Sequence, residues 1–293
     1  MPTLFNPNRR KGIFMIPSGA TKSQTPTPPP PSFTNTYSLA FDGVDDFVNA
    51  GSSIPNLETG DISFSAWVYP TSFSSYKYFL DSGAITTKKG IFAGLQITTG
   101  FVALLRKTGV TNTRCSTGWI DCGLTINNWY NIVGVFDEDG GTAGVGQLKL
   151  YVNGVLKATV DGSGQDTGNG YDLHIGKDGG SFSHFIGNID EVSLYNSPLT
   201  AENVTSIYNS GEPTTLPVTP VAHWKMGEEA TFVYNVNPEG TWTIPDQVAS
   251  NDGTSNNTFL DTGRVGDAPN STSNAVSFNM LETDRKEDTP PTP

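Results

Sequence analysis

From Tyr37 to Gly211 apolar residues recur at every second position, segment after segment, and Gly-containing turns separate the segments. DISFSAWVYP sets Ile62, Phe64, Ala66 and Val68 against Ser63, Ser65, Trp67 and Tyr69. In a strand successive side chains point to opposite faces, so this pattern specifies one face for a core. GQLKLYVNGVLKATVDG is the clearest hairpin: Leu148, Leu150 and Val152 run into Asn153-Gly154, a pair that tolerates positive φ at both turn positions. TYSLAFDGVDDFVNAG reads as two short strands around an Asp42-Gly43 turn. About ten short strands at this spacing, with almost no helical periodicity, predict an all-β, antiparallel β-sandwich.

The stretch Phe185–Gly211 closes this region. Phe185, Ile189, Val192 and Leu194 mark a strand that carries two adjacent carboxylates, Asp190 and Glu191. After a turn at Asn196-Ser197-Pro198, Thr200 can cap a short helix and Gly211 can end it. Val204, Ile207 and Tyr208 give that helix one apolar stripe.

Composition fits a turn-rich sheet protein with irregular flanks: 32 Gly, 20 Pro and 35% hydrophobic residues. The net charge of −12 argues against general nucleic-acid binding and against anionic membranes. No run approaches the ~18 apolar residues of a membrane span. The first residues lack the apolar core of a secretory leader, so export by that route is not expected. Residues 1–36 read as a basic arm and a Pro-rich linker, SQTPTPPPPSFTNT. Phe5, Arg9, Arg10, Lys11 and Phe14 are the candidate anchoring residues, able to order against another subunit. Cys115 and Cys122 in CSTGWIDC suit a bridge across a hairpin in an oxidising compartment, or two free thiols in a reducing one.

SLAFDGVDDFVNAG, ISFSAWVYP, NNWYNIVGVFD, LKLYVNGVL, YDLHIGKD and FIGNIDEVSLYNSPLTAENVTSIYNSG follow one another in the order of laminin-G-like domains. Residues 37–212 thus resemble that family, within the concanavalin A-like lectin/glucanase superfamily. The resemblance implies jelly-roll topology, with the first and last strands adjacent. Residues 213–293 resemble the lead-in of a second such unit and are expected to be a β-poor extension. In that extension VAHWKMGEE, TIPD, NDGT and the EDTP ending are similar to pieces of tailed-bacteriophage structural proteins.

Glycosidases of the superfamily carry Glu-x-Asp-x-x-Glu on one strand, which projects the acids from one face. That motif does not occur here, so a glycoside hydrolase is the remote reading and no catalytic residue is assigned. The acids suit a structural Ca²⁺ better, because the ion takes six or more hard oxygens from approaching loops. Asp42, Asp46 and Asp190 are the candidate ligands, on the implied adjacency of the first and last strands. A sugar presents an apolar face and a hydroxylated rim, which aromatic platforms match. Trp119, Tyr76 and Tyr171 are the candidate platforms, with Trp119 foremost; His174 is expected on a solvent-facing strand position.

The leading expectation is a non-enzymatic virion structural protein, a capsid decoration, fibre or tail-associated subunit. It would be assembled in the host cytoplasm, hold other virion proteins through the N-terminal arm, and form a homo-oligomer. The alternative is a carbohydrate-binding module for host or environmental glycans.

Overall fold

In a computed structural model the described residues are 35–52, 60–73, 76–82, 90–96, 100–107, 114–142, 145–162, 172–179, 183–233, 241–256 and 259–261. The anchoring residues Phe5, Arg9, Arg10, Lys11 and Phe14 lie outside them, as do Tyr171 and the side chain of Cys115. Two antiparallel sheets form a sandwich of jelly-roll type, with strands numbered in chain order. Across the first sheet come Val155–Asp161 (β11), Gln147–Val152 (β10), Tyr130–Asp137 (β9), Ile62–Pro70 (β3), Ile186–Tyr195 (β13), Ser38–Asp42 (β1) and Phe259–Asp261 (β18). Ala222–Trp224 (β14) also pairs with β13. The second sheet begins with Thr231–Val233 (β15), Thr241–Ile244 (β16), Gly253–Asn256 (β17), Phe47–Asn49 (β2) and His174–Ile175 (β12). It continues through Lys77–Asp81 (β4), Gly90–Gln96 (β5), Phe101–Lys107 (β6) and Arg114–Ser116 (β7), with Ile120–Asp121 (β8) also on β6.

The alternation in β3 is realised as the sequence predicts. Ile62, Phe64, Ala66 and Val68 enter the core between the sheets, where Phe64 meets Phe79 edge-on with ring centroids 6.2 Å apart. The opposite face of the first sheet is also covered. The helix Ala201–Tyr208 (α1) buries Val204 and Ile207 against Val133, Val135, Tyr151 and Tyr195. Tyr208 stacks on Trp67 at 5.9 Å, and Ser63 Oγ donates to Ser197 O while accepting from Leu199 N. Thr200 caps α1 in a capping box with Asn203. The helix ends on Asn209 in the left-handed region (φ 43°), two residues before the expected Gly211.

Asp42-Gly43 lies between two short strands as expected, and these belong to different layers, β1 to the first sheet and β2 to the second. The turn is a crossing between layers. The extension after residue 212 contributes short strands, β14 to β18, to both sheets. β14 pairs with the second half of β13, β18 with β1, and β17 with β2. Trp224 and Met226 are fully buried in the main core. Among the described residues no helix is long and apolar enough to cross a membrane.

Candidate functional site

With α1 over the first sheet, the outer face of the second sheet is where aromatic side chains reach solvent. A β-bulge in β4 decides which ones. Tyr78 pairs with Gly94 and Leu80 with Ala93, so Phe79 is the extra residue. Phe79 and Leu80 are both fully buried, while Tyr78 on one side and Asp81 on the other keep the outer face. Tyr76 precedes Tyr78 by two residues and shares that face. Across the sheet Gly94 pairs with Ala103, and the register of β6 with β8 puts Trp119 opposite Ala103.

The loop that carries Trp119 is tied to β6. Leu104 N donates to Thr117 Oγ1 at 3.0 Å, Thr117 N donates to Leu104 O at 3.1 Å, and Gly118 N donates to Ser116 Oγ at 3.1 Å. Strands lie about 4.8 Å apart, so β4 and β8 are separated by roughly 14 Å. The rings of Tyr76 and Trp119 nevertheless meet, with centroids 5.2 Å apart and planes at 33°. They lean toward each other across the low ground of Gly94 and Ala103. A Cβ at Gly94 would already lie 3.1 Å from the Tyr78 ring. Tyr76 remains 46% exposed, enough to offer a ring face. Burial, followed by Asp81, Asp178 and Tyr76, raises the Tyr78 hydroxyl above its usual pKa.

Polar groups flank this pair on the same face. His174 pairs with Asn49 on β2 and with Asp81 on β4. Asn49 Nδ2 donates to Asp172 Oδ2 at 2.7 Å, and Asp81 Oδ2 accepts from Gly179 N at 2.8 Å. Phe47 meets His174 edge-on at 5.6 Å and carries Lys177 Nζ 3.6 Å above its ring. His174 faces outward as expected, but it is half-buried, and its Nδ1 has no partner. Burial first, then the Lys177 charge, push it down to about 4, against the pull of Asp172 and Asp178.

A depressed histidine makes the folded state the poorer proton binder. Its contribution to stability is complete above the unfolded value near 6.5 and is lost as pH falls toward about 4. His174→Gln is therefore expected to reduce the stability lost between pH 7 and pH 4 by on the order of 1–2 kcal/mol. Urea unfolding of both proteins across that range checks it; parallel pH profiles would contradict it.

The expected ligand trio does not converge. Asp42 and Asp46 lie with Asp45, whereas Asp190 lies with Glu191 and Glu228. Leu39 pairs with Ile189, which places Asp190 level with Ser38, four residues from Asp42 and so roughly 13 Å along the strand. At the turn, Asp46 is buried, its Oδ2 accepts from Asp42 N at 2.5 Å, and its Oδ1 has no partner. Burial pushes it up to about 7. Of the cysteines, Cys122 is a half-buried free thiol pushed up to about 11 by burial.

Sequence reasoning missed Glu228, Asn35 and His223. Glu228 lies 37 residues beyond Glu191 with no local motif to join them, and only pairing of β14 with β13 brings the two together.

A family model described as the concanavalin A-like lectin/glucanases superfamily matches residues 42–205, more than half of the chain. No curated protein matches. Among solved structures, a candidate carbohydrate-binding protein from Bacteroides ovatus ATCC 8483 is similar at TM-score 0.55 and 17% identity. That match covers 78% of this chain and 60% of the other, so the chain spans about three-fifths of that protein. The heptameric SAP-like pentraxin of Limulus polyphemus matches at TM-score 0.47 and 15% identity, over 59% of this chain and 82% of its own. The CBM40 of Ruminococcus gnavus IT-sialidase, bound to α2,3-sialyllactose, matches at 0.44 and 15%, over 60% and 99%.

Proposed function

Since the chain belongs to the concanavalin A-like lectin/glucanases superfamily, we propose that it is a non-catalytic carbohydrate-binding module whose ligand stacks on Tyr76 and Trp119. The observation that carries this reading is the meeting of two rings, 5.2 Å apart, from the residues that lead into two different strands of the second sheet, β4 and β8. An exposed aromatic pair over small residues offers a sugar ring an apolar floor. Asn49, Asp172 and His174 offer hydroxyl partners on the same face. Acids outnumber bases there, and Lys177 is held over Phe47. Neutral sugars are thus favoured over sialic or uronic acids. The Bacteroides ovatus protein, itself a candidate carbohydrate binder, shares the fold.

A glycan array tests the reading. Wild-type protein should bind a set of neutral glycans, and Trp119→Ala should weaken that binding roughly 5- to 150-fold, as loss of an aromatic stacking partner does elsewhere at about 1–3 kcal/mol. Equal binding by the variant would remove the platform, and no binding by the wild type would remove the function.

Display of this module on a phage particle rests on the basic arm of residues 1–36 and on the phage-like pieces after residue 220. Removal of residues 1–33, which spares Asn35 and Thr36 with their bonds to Asp190 and Glu228, should abolish incorporation into particles while leaving glycan binding intact. Undiminished incorporation would sink the anchoring role.

A further inference from the structure

Three constraints fix where Tyr78 stands. Its backbone is held on both sides, by pairing with Gly94 and by Tyr78 N donating to Ser183 O at 3.4 Å. Phe79, the extra residue of the bulge, is wholly buried against Phe64 and anchors the strand at that point. Gly94 leaves its own side-chain position empty, and the Tyr78 ring fills it. A Cβ on Gly94 would stand 3.1 Å from Cδ1 and 3.3 Å from Cε1 of that ring. Glycine inside a strand marks such a close approach.

The result is a phenol laid from β4 onto β5, across one strand spacing of about 4.8 Å. Its hydroxyl, one carbon beyond Cε1, reaches the strand over which Tyr76 and Trp119 lean together. Tyr78 is only partly exposed, and a ring packed on glycine keeps one orientation and holds its hydroxyl in one place. Burial, then Asp81, Asp178 and Tyr76, hold that hydroxyl above its usual pKa, so it stays protonated and able to donate. Asp178 comes from the segment after β12, which Gly179 N ties to Asp81 Oδ2 at 2.8 Å. A third aromatic residue thus brings a polar tip to the two rings. An apolar floor accepts many pyranoses alike, since each has an apolar face. Discrimination needs a polar group at a fixed place on the rim, because a site built to bond a hydroxyl rejects an analogue that lacks it.

We propose that Tyr78 selects the sugar: its hydroxyl bonds one ring hydroxyl of a neutral pyranose stacked on Tyr76 and Trp119, and pyranoses lacking a hydroxyl at that position are rejected. This rests on the carbohydrate-binding reading above and divides the labour within it. Tyr76 and Trp119 carry the apolar face, and Tyr78 reads the rim. Asn49, Asp172 and His174 lie on or beside β2 and β12, on the far side of β4 from Gly94, and serve a more distant part of a glycan.

The test titrates the full chain calorimetrically with cellobiose, mannobiose, galactobiose and xylobiose, then with the monodeoxy forms of the strongest binder. Wild type should bind one deoxy form about tenfold more weakly than its parent, the worth of one hydrogen bond. Tyr78→Phe keeps the ring over Gly94 and removes only the hydroxyl. It should bind the parent about tenfold more weakly than wild type does, and bind that deoxy form as well as the parent. Trp119→Ala should weaken both and leave their ratio unchanged, as loss of a stacking surface does. Absence of binding to all four disaccharides by the wild type would remove the platform and the selector together. If Trp119→Ala weakens binding while Tyr78→Phe matches wild type, the platform stands and the selector is overturned. A weakened Tyr78→Phe that still discriminates against the same deoxy form would also overturn it, because the ring and not the hydroxyl would then be at work.

Discussion

Trp224→Ala is expected to lower the unfolding free energy of the full chain by about 3–5 kcal/mol, the range for removing a buried aromatic side chain. Trp224 is 0% exposed and sits in the core between the sheets. Its strand pairs Trp224 with Val192, and its indole Nε1 donates to Asn251 O at 2.9 Å. Truncation would therefore leave a cavity and an unpaired carbonyl together. The residue lies beyond the part of the chain that the family pattern covers, so the experiment asks whether that later segment is integral to the fold. Equilibrium unfolding in urea, followed by circular dichroism, gives the answer. A loss under about 1 kcal/mol would mean that the segment does not pack as described.

Gly187→Ala should be comparably damaging for a different reason. Gly187 lies in β13 at φ +128°, a conformation that L side chains rarely adopt. A Cβ there would stand 2.0 Å from Tyr69 O and 3.0 Å from the Pro70 Cα. These are backbone atoms of the paired strand β3, so no side chain can swing away to make room. The two central strands would have to part, and we expect a loss of about 3 kcal/mol or more. Gly51→Ala is the matched control, since Gly51 also has positive φ (+73°) but meets nothing within 4 Å. It should lose only about 1 kcal/mol. Similar losses at the two positions would show that the close approach of β3 to β13 is not what requires glycine.

Much of this architecture was legible in local pattern. The alternation of Ile62 to Tyr69 assigns one face to the core, and Ile62, Phe64, Ala66 and Val68 are buried there between the sheets. Asn153 and Gly154, at φ 50° and 75°, turn the β10–β11 hairpin as their chemistry predicts. Tyr76 and Trp119 could be picked out as aromatics outside the core pattern. Their meeting could not, because it depends on the Phe79 bulge and on cross-strand register over Gly94 and Ala103. Bulges were the main blind spot. One extra residue reverses which face each later side chain takes, and no local composition marks Asp190-Glu191 as the place where that happens. The other was long-range pairing. VAHWKMGEE reads as the beginning of something, and only its pairing with β13 shows that it completes the sheet already built.

The most direct test of sugar recognition is a titration of ¹⁵N-labelled full chain with the strongest array ligand, followed by amide chemical shifts. Perturbations concentrated at Tyr76, Tyr78, Gly94, Ala103 and Trp119, absent in Trp119→Ala, are the predicted result. Shifts confined to the α1 side of the sandwich, or to the loops away from the second sheet, would contradict the assignment of this face as the binding surface.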